Sequence, residues 1–139
     1  MNRRDFALAS TICTATVALA GSKAAAESPI ATTVLGKFNA CVAACLNCLR
    51  HCNECAMSCL EHLAHGHQSH LVTAKLCLDC ADVCECTASI ICRGGPLTEH
   101  LRKACADACM QCADACRDGD STMQDCAKAC EECVAACRQ

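Results

Sequence analysis

Apolar and polar positions alternate along this chain with a helical period from about residue 30 to the end, and the apolar side of the pattern is mostly cysteine. From residue 41 to 59 the sequence reads CVAACLNCLRHCNECAMSC, with Cys41, Cys45, Cys48, Cys52, Cys55 and Cys59 separated by 4, 3, 4, 3 and 4 positions. At about 100° per residue these steps hold all six thiols within about 40° of one line on a helix. The residues between them are polar or small, among them Asn47, Arg50, Asn53, Glu54 and Ser58. The stretch therefore predicts an amphipathic helix whose buried face is sulfur. At about 1.5 Å per residue the stripe of thiols is about 27 Å long.

The same period divides the rest of the chain. Ser28-Pro29 reads as an N-cap followed by proline in the first turn, and Ile30 and Val34 begin the line that turns to thiol at Cys41. Gly66 is the expected stop of this first helix. A turn with four histidines, His62, His65, His67 and His70, leads into a second helix from about residue 69 to 93, which carries Cys77, Cys80 and Cys84. Gly94-Gly95-Pro96 breaks the pattern, with Pro96 suited to the first turn of a third helix. That helix carries Cys105, Cys109, Cys112 and Cys116, spaced 4, 3 and 4. After the turn at 117–120, Ser121 and Gln124 resemble a capping box. The fourth helix carries Cys126, Cys130, Cys133 and Cys137 at the same spacing. The third and fourth helices are near-repeats, CADACMQCADAC against CAKACEECVAAC. Short loops make consecutive helices antiparallel neighbours, so the expected fold is all-α, an up-down-up-down four-helix bundle with a cysteine-lined core. Cys86 and Cys92 fall off the inward lines.

Composition makes this core unusual. Of 139 residues 20 are cysteine, Trp and Tyr are absent, and Phe occurs only at Phe6 and Phe38. From residue 41 onward fifteen Leu, Ile and Val stand against nineteen cysteines, too few to build an ordinary interior. Arg3-Arg4, Phe6 and the weakly apolar run from 7 to 20 read as a twin-arginine export signal, cleaved after Ala24-Ala25-Ala26 and before Glu27. That run is too short to span a bilayer. The expected organisation is a removed leader over 1–26, taking Cys13 with it, and one metal-binding domain over 27–139. The expected location is the periplasm, with no membrane attachment once the leader is gone. The remaining chain has nine Lys and Arg against fourteen Asp and Glu, a formal charge of −5. An acidic chain without a basic patch argues against nucleic acid as a partner.

Three chemistries can use a sulfur seam. Disulfides within a helix are opposed by geometry: neighbours at i, i+3 or i, i+4 have Cβ atoms about 5–6 Å apart, whereas a bridge needs about 3.5–4.5 Å. Bridges between helices stay open, but they do not require such spacing along all four. Cysteine as a small hydrophobe explains one or two positions; seventeen would leave the interior thinly filled. Metal is the third. Thiolates suit Cu(I), zinc and iron–sulfur clusters. Zinc held by four cysteinates carries a net charge of about −2, and several such sites in one bundle would repel. Iron–sulfur clusters use CxxC loops with a distant cysteine rather than a stripe. Cu(I) takes two or three thiolates, so about one copper per thiolate approaches neutrality. The pattern favours many Cu(I) ions in one tube.

The repeated CxxxCxxCxxxC units, the CLDCADVCE segment at 77–85 and the closing CAKACEECVAACR resemble the four-helix-bundle copper storage protein family, and the leader resembles that of its exported branch. The resemblance implies a bundle that stores many Cu(I) ions on inward thiolates, and, for exported members, a homotetramer. Copper is the expected cargo, with a copper chaperone or a copper-dependent enzyme as a candidate partner.

In this topology the four-histidine turn lies at the same end as the turn between the third and fourth helices, where Met123 sits just inside the fourth. His62, His65, His67, His70 and Met123 are therefore candidate entry ligands, against the alternative of a solvated polar turn. His51 lies at the seam edge, Met57 and Met110 point away from it, and His100 receives no role. No carboxylate–histidine or serine–histidine set stands on the seam, so no enzyme is expected. The alternative function is a thiol redox buffer, or a metallothionein-like protein that takes up zinc or cadmium.

Overall fold

The structure is a computed structural model that describes residues 29–139. The expected leader, Ser28 and the side chains of Ile30 and Val34 lie outside the described residues. The described chain forms four α-helices: α1, Pro29–Ala64; α2, Leu71–Cys92; α3, Thr98–Cys116; and α4, Ser121–Arg138. Each helix packs on its neighbours in sequence, α1 also packs on α4, and the backbones of the diagonal pairs stay apart, meeting only through their thiols. This closed ring is the expected up-down-up-down four-helix bundle. No described helix is long and apolar enough to cross a membrane.

Turn chemistry fixes where the helices stop. Gly66 adopts φ 89°, the left-handed conformation that glycine reaches without a Cβ clash. It lets Gly66 N–H donate to the Leu63 carbonyl at 2.9 Å and His67 N–H donate to the His62 carbonyl at 3.0 Å. These two bonds are a Schellman closure, which satisfies carbonyls that the helix end leaves free. Gly94, at φ 61°, repeats the closure at the end of α2, with Gly94 N–H to the Ile91 carbonyl and Gly95 N–H to the Ile90 carbonyl. A Cβ on Gly95 would stand 2.9 Å from Ile90 Cγ2, so the tight return needs glycine there as well.

Three expected boundaries move. The second helix begins at Leu71, because Gln68–His70 form a 3-10 turn ahead of it. Pro96 lies in the turn before α3, not in its first helical turn; Thr98 enters the helix and ties its hydroxyl to the Gly95 carbonyl at 2.7 Å. The cap of α4 is Asp120 rather than Ser121. Asp120 has extended backbone (φ −69°, ψ −178°), and its Oδ1 accepts from Met123 N–H at 3.0 Å. Gln124 does reach back, but its side-chain amide donates to the Gly119 carbonyl at 2.8 Å.

The core is the thiol column. All seventeen inward cysteines are buried, none more than 4% exposed, whereas Cys86 and Cys92 are exposed. Small side chains complete it: Ala74, Ala81 and Ala88 recur every seventh residue on the buried side of α2, and Ala106 and Ala113 do so on α3. Alanine at these places lets the helix backbones come close. The two ends of the column differ. Where α1 begins and α4 ends, Phe38, Thr87, Ile91 and Arg102 are buried. At the other end, where α1 stops and α4 starts, lie Cys59, Met123 and the histidine turn.

Candidate metal centre

Four helices each turn one line of sulfur toward the bundle axis, and the lines interdigitate. Cys48 Sγ stands 3.5 Å from Cys130 Sγ, 3.8 Å from Cys109 Sγ and 4.0 Å from Cys80 Sγ, so one thiol touches all three other helices. Cys84 lies 3.7 Å from both Cys105 and Cys109. Cys77 lies 3.7 Å from both Cys112 and Cys116. A metal–thiolate bond of about 2.3 Å places two sulfurs on one metal about 3.8–4.0 Å apart for tetrahedral to trigonal angles. The column already holds its sulfurs close to that separation.

The groups of four overlap. Cys45, Cys84, Cys105 and Cys133 form one set with every sulfur within 4.8 Å of the others, and Cys48, Cys84, Cys109 and Cys133 form the next. Cys48, Cys52, Cys80 and Cys130 follow, then Cys52, Cys112, Cys126 and Cys130, then Cys55, Cys77, Cys116 and Cys126. Six thiols, Cys48, Cys52, Cys84, Cys126, Cys130 and Cys133, belong to two of these sets. The sets are consecutive cages along one column, not separate sites, and shared sulfurs suit thiolates that bridge metals. Cys59 continues the column beyond Cys55, and Cys41 and Cys137 close its other end.

Proton sharing shows what the column lacks. Hydrogen bonds from Cys109 and Cys130 lower Cys48 to about 7, and those from Cys112 chiefly lower Cys116 to about 5. Cys52 and Cys77 are pushed up, first by the hydrogen bonds they share with Cys112. Burial pushes Cys59 up. A thiolate in this interior survives only where neighbouring S–H groups donate to it, because burial favours the neutral form. The column cannot ionise throughout unless a cation replaces the protons. Soft cations bound by thiolates do so, releasing the protons as they bind.

The histidine turn divides. The Schellman closure carries His67 back over the end of α1, where its ring meets His62 edge-on, centroids 5.8 Å apart. His70, in the 3-10 turn, stacks on His62 at 4.3 Å and 13° between planes. His62 Nε2 also lies 3.6 Å from Asp120 Oδ2, and Asp120 caps the helix that carries Met123. His70 Nδ1 is buried without a hydrogen-bond partner. Three imidazoles, a carboxylate and a thioether thus gather at one mouth. His65 is apart: its Nδ1 is 2.8 Å from the Glu61 carbonyl and its side chain is exposed. Met123 is buried, and its thioether covers Gly119 so closely that no side chain would fit there.

Spacing alone does not pick out two members of the ends. Asp120 and Ser121 cap equally well by composition, so the carboxylate at the mouth is hidden behind the expected serine cap. Arg102 sits on the inward line, seven residues before Cys109, where a charge ordinarily seeks solvent. It is buried instead, with its guanidinium 4.7 Å over the Phe38 ring and Nη1 on Glu99 at 3.0 Å. His51 is half-buried beside Arg50 and Glu54 and does not reach the column. Met57 and Met110 are exposed, as expected.

The family model described as copper storage protein matches residues 34–139. The chain is 35% identical over 81 residues to an uncharacterized cysteine-rich protein, YhjQ, of Bacillus subtilis, covering 58% of this chain and 73% of that protein. Among solved structures it resembles the Cu(I)-bound copper storage protein BsCsp3, with a TM-score of 0.68 and 34% identity over 73% of this chain and 95% of that one. It also resembles a cytosolic copper storage protein from Streptomyces lividans loaded with five coppers, with a TM-score of 0.68 and 29% identity over 77% and 93% of the two chains.

Proposed function

This chain belongs to the copper storage protein family, and from that premise we propose that it stores many Cu(I) ions on the seventeen inward thiolates, Cys41 to Cys137. The observation that carries the reading is the overlap of the four-thiol cages: six sulfurs shared between neighbouring sets favour a continuous store over isolated sites. Sharing also balances charge, since each bridging thiolate serves two cations. Burial of all seventeen sulfurs supports storage rather than catalysis.

Copper enters at the histidine mouth. His62, His67, His70 and Met123 are the first ligands there, and Cys59 is the first core thiol behind them. His65, turned to its own helix, takes a smaller part. Residues 1–26 direct export by the twin-arginine route, which moves folded protein and so delivers the thiols already turned inward. Exposed Leu46, Met57 and Leu60 on α1 favour association with further copies of the chain, in line with the expected homotetramer.

One preparation tests these claims. The protein is isolated from the periplasm of copper-grown cells, and its N-terminus, mass in solution and metal content are measured. The expected product begins at Glu27, is oligomeric and holds Cu(I) in large excess over one per chain. Zinc or cadmium alone would support the detoxification alternative, and metal-free disulfides the redox one.

A further inference from the structure

The far end of the column, opposite the histidines, contains a pair unlike the rest. Cys41 Sγ on α1 and Cys137 Sγ on α4 are 2.9 Å apart, whereas the other close sulfur pairs stand between 3.5 and 4.0 Å. A disulfide needs about 2.05 Å, so this pair is the nearest to bonding distance and is too close to straddle one metal without opening. It is also the least sealed: Cys137 is 4% exposed and Cys41 2%, against 0–1% for the other core thiols. Cys137 lines an open cavity of about 370 Å³, whose walls carry Arg102, Lys103 and Arg138 with Glu99 and Asp107. The other cavities described in the bundle contain no cysteine.

We propose that Cys41 and Cys137 are a redox site, oxidised to an α1–α4 disulfide by a small-molecule disulfide that enters the cavity beside Cys137. The inference does not depend on copper storage. Access decides the order of events, because exchange needs a thiolate to reach the incoming sulfur. Cys137 attacks one sulfur of the disulfide RSSR; the S–S bond breaks, RS⁻ leaves, and a mixed disulfide forms on Cys137. Cys41 then attacks the Cys137 sulfur, the protein disulfide forms, and a second RS⁻ leaves. Two cysteines lose two electrons and two protons, and the reagent gains both as two RSH. Arg102 is held by Glu99, so Lys103 and Arg138 are the wall cations that meet a carboxylate on the reagent. The bond would tie the start of the column to the end of the chain across 96 positions and remove two thiols from the store.

The test uses reduced, metal-free protein carrying Cys86→Ser and Cys92→Ser, so that exposed thiols do not react first. Oxidised glutathione is added in excess, and free thiols, mass and cross-linked peptides are followed in time. The expected result is an early loss of two thiols at least tenfold faster than any further loss, no glutathione retained, and a single Cys41–Cys137 cross-link. Adding Cys41→Ser should trap glutathione on Cys137. Far-ultraviolet circular dichroism that matches the parent shows the variant is folded. Cross-links spread over several pairs at similar rates, or the same two-thiol loss in the folded Cys41→Ser variant, would overturn the proposal.

Discussion

His62 stands in the last turn of α1, at the mouth of the column. The His67 N–H to His62 carbonyl bond closes the end of α1, and the His67 and His70 rings lie against His62 just beyond it. Replacing His62, His67, His70 and Met123 together by alanine should slow Cu(I) loading by about tenfold, roughly 1.4 kcal/mol in the barrier. Final capacity should stay nearly unchanged, because the column supplies most ligands. His65→Ala alone should load at close to the parent rate. Stopped-flow uptake and end-point copper content measure both, and a capacity halved in the fourfold variant would place those residues in the store itself. The residue scale is also where the sequence is least legible. Four histidines within nine positions mark the turn, but spacing cannot show that a left-handed Gly66 brings three of them together and leaves His65 outside. Nor can it choose between Asp120 and Ser121, two good caps side by side, since the choice rests on which residue has extended backbone.

The elements themselves are largely legible. Cysteines at steps of 3 and 4 define each helix and the face it buries, and glycine at 66 and 94 marks two of the ends through its access to positive φ. What the pattern does not show is the closeness of α1 and α2, which depends on Ala74, Ala81 and Ala88 being buried as well as the thiols. Ala81 is 2% exposed, so a larger side chain there must displace the atoms that cover it. Ala81→Leu should therefore destabilise the metal-free protein by about 1–3 kcal/mol through overpacking. Ser89→Leu, on the exposed side of the same helix, should stay within about 0.5 kcal/mol of the parent. Urea unfolding followed by circular dichroism compares the two, and equal effects would contradict close packing at the alanine ridge.

For the molecule as a whole, the decisive fact is that sulfur replaces carbon as the filling of the core. A cysteine buries less apolar surface than a leucine, so the metal-free bundle should be helical but of modest stability. Cations bound only by the folded chain add to folding free energy, about 2.7 kcal/mol for each site held at a hundred times its dissociation constant. The melting temperature should therefore rise steeply on loading; equal values for the two forms would show that packing alone holds the bundle. The up-down-up-down topology and the two unlike ends follow from loop lengths and from where the histidines stand. The buried Arg102 over Phe38 does not, because a charge on an inward line is normally solvated, and here the stacked ring and the Glu99 carboxylate together offset its burial. The most direct measurement of storage is a titration of the reduced, metal-free protein with Cu(I) against a competing chelator. A continuous column of shared thiolates takes up about one Cu(I) per inward thiolate, well above ten per chain. Saturation at one or two ions would contradict it.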